Sequence, residues 1–321
     1  MRELLEGYAR DTRVQLGALI LLVLLYAITK ISLFGILFAL VLVGTVAMEV
    51  LSGAKSRGWK EELKDTLISL GAVVVLWLSL GFILNSPVPI NAVVSCSMLP
   101  NVERGDLILV HGDAPAGYGV SLTKSELEAL QKDETLVRAE GIGEFYVNGS
   151  LYSYCAQHRD AICNAFTSAP SHFSEQKGPF TFNYAKCERN KGEIVLVTPC
   201  VESVYFKGQE YFANLSHDTI VYGPREGNLY YYTGDIIHRV FFLIESGGET
   251  YYLTKGDNNP IFDIQVYDYS INMGNDAPSS SDYKGKILFR LPFIGYPKLF
   301  ISGFFSETVN CDSTLDYPTV S

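Results

Sequence analysis

Polar residues are missing from two long stretches near the N-terminus. Between 14 and 51 the only charged residues are Lys30 and Glu49, and between 66 and 84 there is none, a pattern of membrane-crossing helices rather than of amphipathic surface helices. As a helix rising about 1.5 Å per residue, segment 67–84 would cover ~27 Å, enough for a bilayer core. The first stretch is too long for one span and a little short for two, so it predicts a tight hairpin of helices 14–29 and 31–51 turning at Lys30. Residues 1–86 therefore read as a membrane anchor with about three transmembrane helices.

Past residue 86 the period changes. Short runs of β-branched and aromatic residues alternate with Gly, Asp, Asn and Pro, predicting strands at 106–111, 193–198, 219–222, 229–232, 235–244, 250–254 and 286–291. The fold class is N-terminal transmembrane helices followed by a mainly β domain, 87–305, with an inserted subdomain at 112–216 and a tail at 306–321. A Thr/Glu capping arrangement opens a helical pattern at 123–132 inside the insert. Covering a substrate groove is one of several roles open to that insert. Arg290, Pro292, Pro297 and Lys298 argue against a further span in the apolar region 293–305, which fits the bilayer interface.

Charge orients the anchor. Arg2, Arg10 and Arg13 precede the first span, and Lys55, Arg57, Lys60 and Lys64 separate the second from the third, so both loops are expected in the cytoplasm. Three spans then deliver the β domain outside the cell or into a lumen. A cleavable signal peptide is the competing reading, but the apolar run is too long and lacks a small-residue cleavage site. The first 65 residues hold eight basic and seven acidic residues, a net of +1, so the chain's −10 leaves −11 for the rest; an acidic domain of this kind argues against a nucleic-acid partner.

All six cysteines lie after the last span, without paired zinc-ligand spacing. No metal or organic cofactor is implied. Cys155, Cys163, Cys187 and Cys200 can form two bridges in three ways, or remain buried thiols. Sequons at Asn148 and Asn214 fit an exterior location.

The chemistry is concentrated in short motifs. Ser95, Cys96, Ser97, Met98, Leu99 and Pro100 follow the last span, and Arg104, Gly105 and Asp106 lead into an apolar run. This segment resembles the type I signal peptidase family. Further motifs similar to that family's follow in order: 218–222 with Pro224, 234–240 around His238, Lys255 to Asn259 with Asp263, and 286–296. The resemblance covers roughly 85–110 and 217–300. His238 stands where bacterial members carry lysine, so the chain looks like the archaeal and endoplasmic-reticulum Ser-His-Asp branch.

That resemblance implies a serine endopeptidase that removes N-terminal signal peptides from exported preproteins, cutting after small residues bound as an extended strand. Ser97 would be the nucleophile and His238 the base, an imidazole needing little perturbation to work near neutral pH. Asp263 would orient His238, and Asp257 would either share that role or order the loop. Ser95 and the Ser97 N–H would bind the oxyanion, with Val93, Val94 and Met98 lining the substrate site. Cys96 replaces the family's usual glycine and would crowd this loop if glycine dihedrals were required. The implied partners are signal-peptide-bearing preproteins, the lipid bilayer and protein-export machinery. Two rivals share the fold: a catalytically silent membrane-anchored binding protein and a processor of other surface proteins.

Overall fold

The structure, a computed structural model, describes residues 12–308 and 310–318. Arg2 and Arg10, part of the predicted basic flank, lie outside them. The chain divides into two compact units.

The first unit runs to Ser95 and includes Glu103–Leu109 and Leu288–Thr308. Its apolar stretches form helices Thr12–Thr29, Ser32–Arg57 and Trp59–Ile83. The latter two are long and apolar enough to cross a membrane, whereas the first is apolar but shorter. Lys30 separates the first pair with φ of 57°. Along Trp59–Ile83 the side chains of Leu70, Val75, Leu78 and Phe82 are exposed, an apolar surface suited to lipid rather than water. Arg104 donates to the Tyr26 hydroxyl at 2.6 Å and to the Phe304 carbonyl at 2.7 Å, so its charge is buried with partners. Gly105 has φ of +92°, and a Cβ there would lie 2.3 Å from the Tyr296 ring, so this turn requires glycine twice over.

The second unit contains Cys96–Val102, Val110–Ile287 and the described part of the chain end. One sheet in it joins Thr219–Tyr222, Ile236–Ser246 and Glu249–Lys255 antiparallel, with Ile220 opposite His238 and Arg239 opposite Lys255. Tyr118–Ser121 adds in parallel along residues 242–245. The insert forms a second antiparallel sheet in the order Gly143–Asn148, Glu134–Ala139, Phe173–Lys177, Phe180–Lys191, Ile194–Phe206 and Gln209–Phe212. Phe180, Phe182, Val204 and Phe206 from the insert share one buried cluster with Phe241, Phe242, Ile244 and Phe262. The insert is thus packed into the same hydrophobic core as the His238 strand.

The capping box of the insert helix is present on Lys124–Gln131, where Thr123 and Glu126 exchange hydrogen bonds. One predicted strand is corrected: residues 229–232 belong to the 3-10 turn Leu229–Thr233. The Asn275 side-chain Oδ1 accepts the Tyr230 N–H at 3.0 Å and the Thr233 hydroxyl donates to the Tyr230 carbonyl at 2.6 Å, so these polar partners override the β propensity of three tyrosines. The described part of 306–321, read from the sequence as a tail, is tied into the fold. Cys311 is bonded to Cys96, and Thr314–Asp316 pairs with residues 188–190. The other disulfides join Cys155 to Cys163 and Cys187 to Cys200.

Candidate active site

Ser97 directly precedes a tight turn closed by the Asn101 N–H donating to the Met98 carbonyl at 2.9 Å. The loop's shape is imposed largely by the segment after the strand Glu249–Lys255. There the Asn258 N–H donates to the Ser97 carbonyl at 2.7 Å, and the Asn258 side-chain amide donates to the Cys96 carbonyl at 3.0 Å. Gly256 makes this approach possible, since a Cβ there would sit 2.6 Å from the Ser97 carbonyl oxygen. Cys96 is not among the residues with positive φ, so its side chain is accommodated in the loop, and its sulfur is committed to Cys311.

His238 projects from the start of the strand Ile236–Ser246 and is 4% exposed. Its Nε2 is 3.0 Å from Ser97 Oγ, and its Nδ1 is 2.7 Å from Asp263 Oδ2. With a carboxylate on one side, the fitting tautomer carries its proton on Nδ1 and accepts from the serine hydroxyl at Nε2. Asp263 opens the 3-10 turn Asp263–Gln265 and is 2% exposed. Its Oδ2 also accepts from the Tyr222 hydroxyl at 2.9 Å and from Thr254 Oγ1 at 2.7 Å, while Oδ1 has no partner among the described residues. Burial, together with the neighbouring Asp263, raises Tyr222 well above the ordinary tyrosine range, keeping it a donor. Such a chain can pass the Ser97 proton to imidazole and stabilise the resulting imidazolium.

The remaining predicted residues have other surroundings. Asp257 is paired bidentately with Arg239, at 2.8 and 2.7 Å, and accepts from the Asn101 amide at 2.7 Å. It braces the loop carrying the serine. Met98 is 1% exposed, with its sulfur facing the Asp257 N–H at 3.4 Å, and Val93 is likewise 1% exposed, so neither presents a surface to a ligand. Val94 and Ser95 are half-buried in the first unit, where the Val94 carbonyl accepts from Arg104 at 3.2 Å.

Tyr222, Thr254, Gly256 and Asn258 were not singled out from the sequence, although Tyr222, Gly256 and Asn258 lie in motifs that were and Thr254 lies in the predicted strand 250–254. Burial lowers Lys255 to about 7, and its amine meets the Tyr317 hydroxyl. Among the described residues no group of three or more His, Cys, Asp or Glu is placed to hold a metal ion.

A serine, histidine and aspartate in hydrogen-bonded series, on a β unit joined in one chain to apolar helices, define a hydrolase-like arrangement. No family model matches the chain. It is similar to the signal peptidase complex catalytic subunit SEC11 of three fungi. Identity is 26% over 117 residues with that of Verticillium alfalfae and 27% over 117 residues with that of Fusarium vanettenii, in both cases 34% of this chain and 63% of the relative. With that of Colletotrichum graminicola it is 28% over 119 residues, 35% of this chain and 64% of the relative. The chain thus spans somewhat under two thirds of the curated relatives it matches. This weak, partial similarity supports a relationship to signal peptidases.

Proposed function

We propose that this chain is a multi-pass membrane serine endopeptidase that removes N-terminal signal peptides from exported preproteins after small residues. The observation that carries the reading is the continuous contact from Ser97 Oγ through His238 to Asp263 Oδ2, at 3.0 and 2.7 Å. In this mechanism Ser97 Oγ attacks the scissile carbonyl as its proton passes to His238 Nε2. The tetrahedral oxyanion is met by the Ser97 N–H, and the imidazolium, held by Asp263, returns the proton to the leaving amine. That amine, the new N-terminus of the mature protein, departs and leaves the signal peptide as an ester on Ser97; water, deprotonated by the same imidazole, then releases the signal peptide with a new C-terminal carboxylate and restores Ser97.

Three disulfides in the β unit and the basic loop after the second helix support a catalytic domain on the extracytoplasmic or lumenal side. The test is mass spectrometry of protein N-termini from cells depleted of the chain and complemented with wild type or Ser97→Ala. Uncleaved secretory precursors should accumulate in depleted and Ser97→Ala cells and disappear with wild type. Normal processing in Ser97→Ala cells contradicts the reading.

A further inference from the structure

The turn that carries Asp263 is gripped by the insert. Gln265, fully buried, accepts the Phe262 N–H on Oε1 at 3.0 Å and donates from Nε2 to Glu175 Oε2 at 2.8 Å and to the Tyr184 hydroxyl at 3.3 Å. Glu175, also fully buried, lies on the insert strand Phe173–Lys177, and its Oε1 accepts the Leu151 N–H at 2.6 Å. Leu151 opens the helix Leu151–Gln157, whose Ser153 hydroxyl donates to the Gln265 carbonyl at 3.0 Å and accepts the Tyr267 N–H at 3.1 Å. Gly149 closes the contact, since a Cβ there would lie 3.0 Å from the Gln265 carbonyl oxygen.

A fully buried carboxylate is costly, and neutral residues could fill this space at lower cost. Burial pushes Glu175 up to about 7, with Tyr184 and Lys177 as its titratable neighbours. What Glu175 supplies is two acceptor oxygens: one for the insert helix and one for the turn of the site aspartate. Among the described residues every hydrogen bond to the Asp263 carboxylate falls on Oδ2, so a small shift of this turn moves the one oxygen that His238 uses.

We propose that Glu175 and Gln265 are positioning residues: through their buried hydrogen bond the insert holds Asp263 in register with His238. The catalytic meaning of this rests on the peptidase reading above. In Glu175→Gln an amide donor faces the Gln265 amide donor. Combining Glu175→Gln with Gln265→Glu exchanges the roles and restores one donor against one acceptor, with Leu151 and Phe262 still satisfied.

The readout is the downfield proton resonance of the His238 Nδ1–H in full-length protein in detergent, identified by its loss in His238→Asn. Glu175→Gln should move or broaden that resonance and lower kcat for preprotein cleavage by about tenfold with KM unchanged. The double exchange should bring both back. An unmoved resonance in folded Glu175→Gln, or a double exchange no better than the single variant, overturns the inference. Should Glu175→Gln not fold, the folded double exchange decides, by a wild-type or an altered resonance. Cleavage by Ser97→Ala would instead end the peptidase reading while leaving the resonance test intact.

Discussion

At the scale of single residues, the site is a set of buried polar groups whose costs are offset locally. Asp263 Oδ2 gathers three donors, Tyr222, Thr254 and His238, in space closed to water. Lys255, opposite Arg239 in the neighbouring strand, is a less balanced case, because burial brings it from 10.5 to about 7. Between those values the unfolded chain binds a proton that the folded chain does not, so this residue makes stability rise with pH from about 7 to about 10. Lys255→Met should flatten that rise in melting temperatures of detergent-solubilised protein taken across this range. An undiminished slope in the variant contradicts the assignment.

At the scale of elements, the serine loop is shaped by partners distant in sequence. The turn at 256–259 presses on the Ser97 carbonyl, and Arg239 with Asn101 fixes Asp257 on its flank. Gly256→Ala should therefore displace the nucleophile by forcing apart a 2.6 Å approach, lowering kcat by about 10- to 100-fold while the melting temperature stays near wild type. Wild-type kcat in that variant contradicts this account of the loop. The disulfide from Cys96 to Cys311 closes 215 residues of chain onto the same loop. Replacing both cysteines with serine should cost about 2–5 kcal/mol of stability, read as a fall in melting temperature. An unchanged melting temperature would show that the tether does not support the fold.

At the scale of the whole molecule, the legible part was what local pattern encodes. Uninterrupted apolar stretches marked the helices, alternation marked the β-rich domain, and three short motifs marked Ser97, His238 and Asp263. Contacts made by folding were not legible. Tyr222 and Thr254 sit in strands read for their apolar neighbours, and only the register of the sheet brings their hydroxyls to Asp263. The pairing of Cys96 with Cys311 lay outside the four cysteines grouped by proximity, because sequence distance hides a chain end that returns to the loop. The tyrosines at 230–232 read as strand because propensity carries no information about Asn275, 45 residues away from Tyr230.

The central claim is that Ser97, activated by His238, cuts signal peptides. Its most direct measurement is incubation of a purified preprotein with the detergent-solubilised full-length chain, with product N-termini read by mass spectrometry. Wild type should cut at a single junction after a small residue, and Ser97→Ala and His238→Ala should each lose activity by about 10³-fold or more. No cleavage by wild type, or undiminished cleavage by Ser97→Ala, would contradict it.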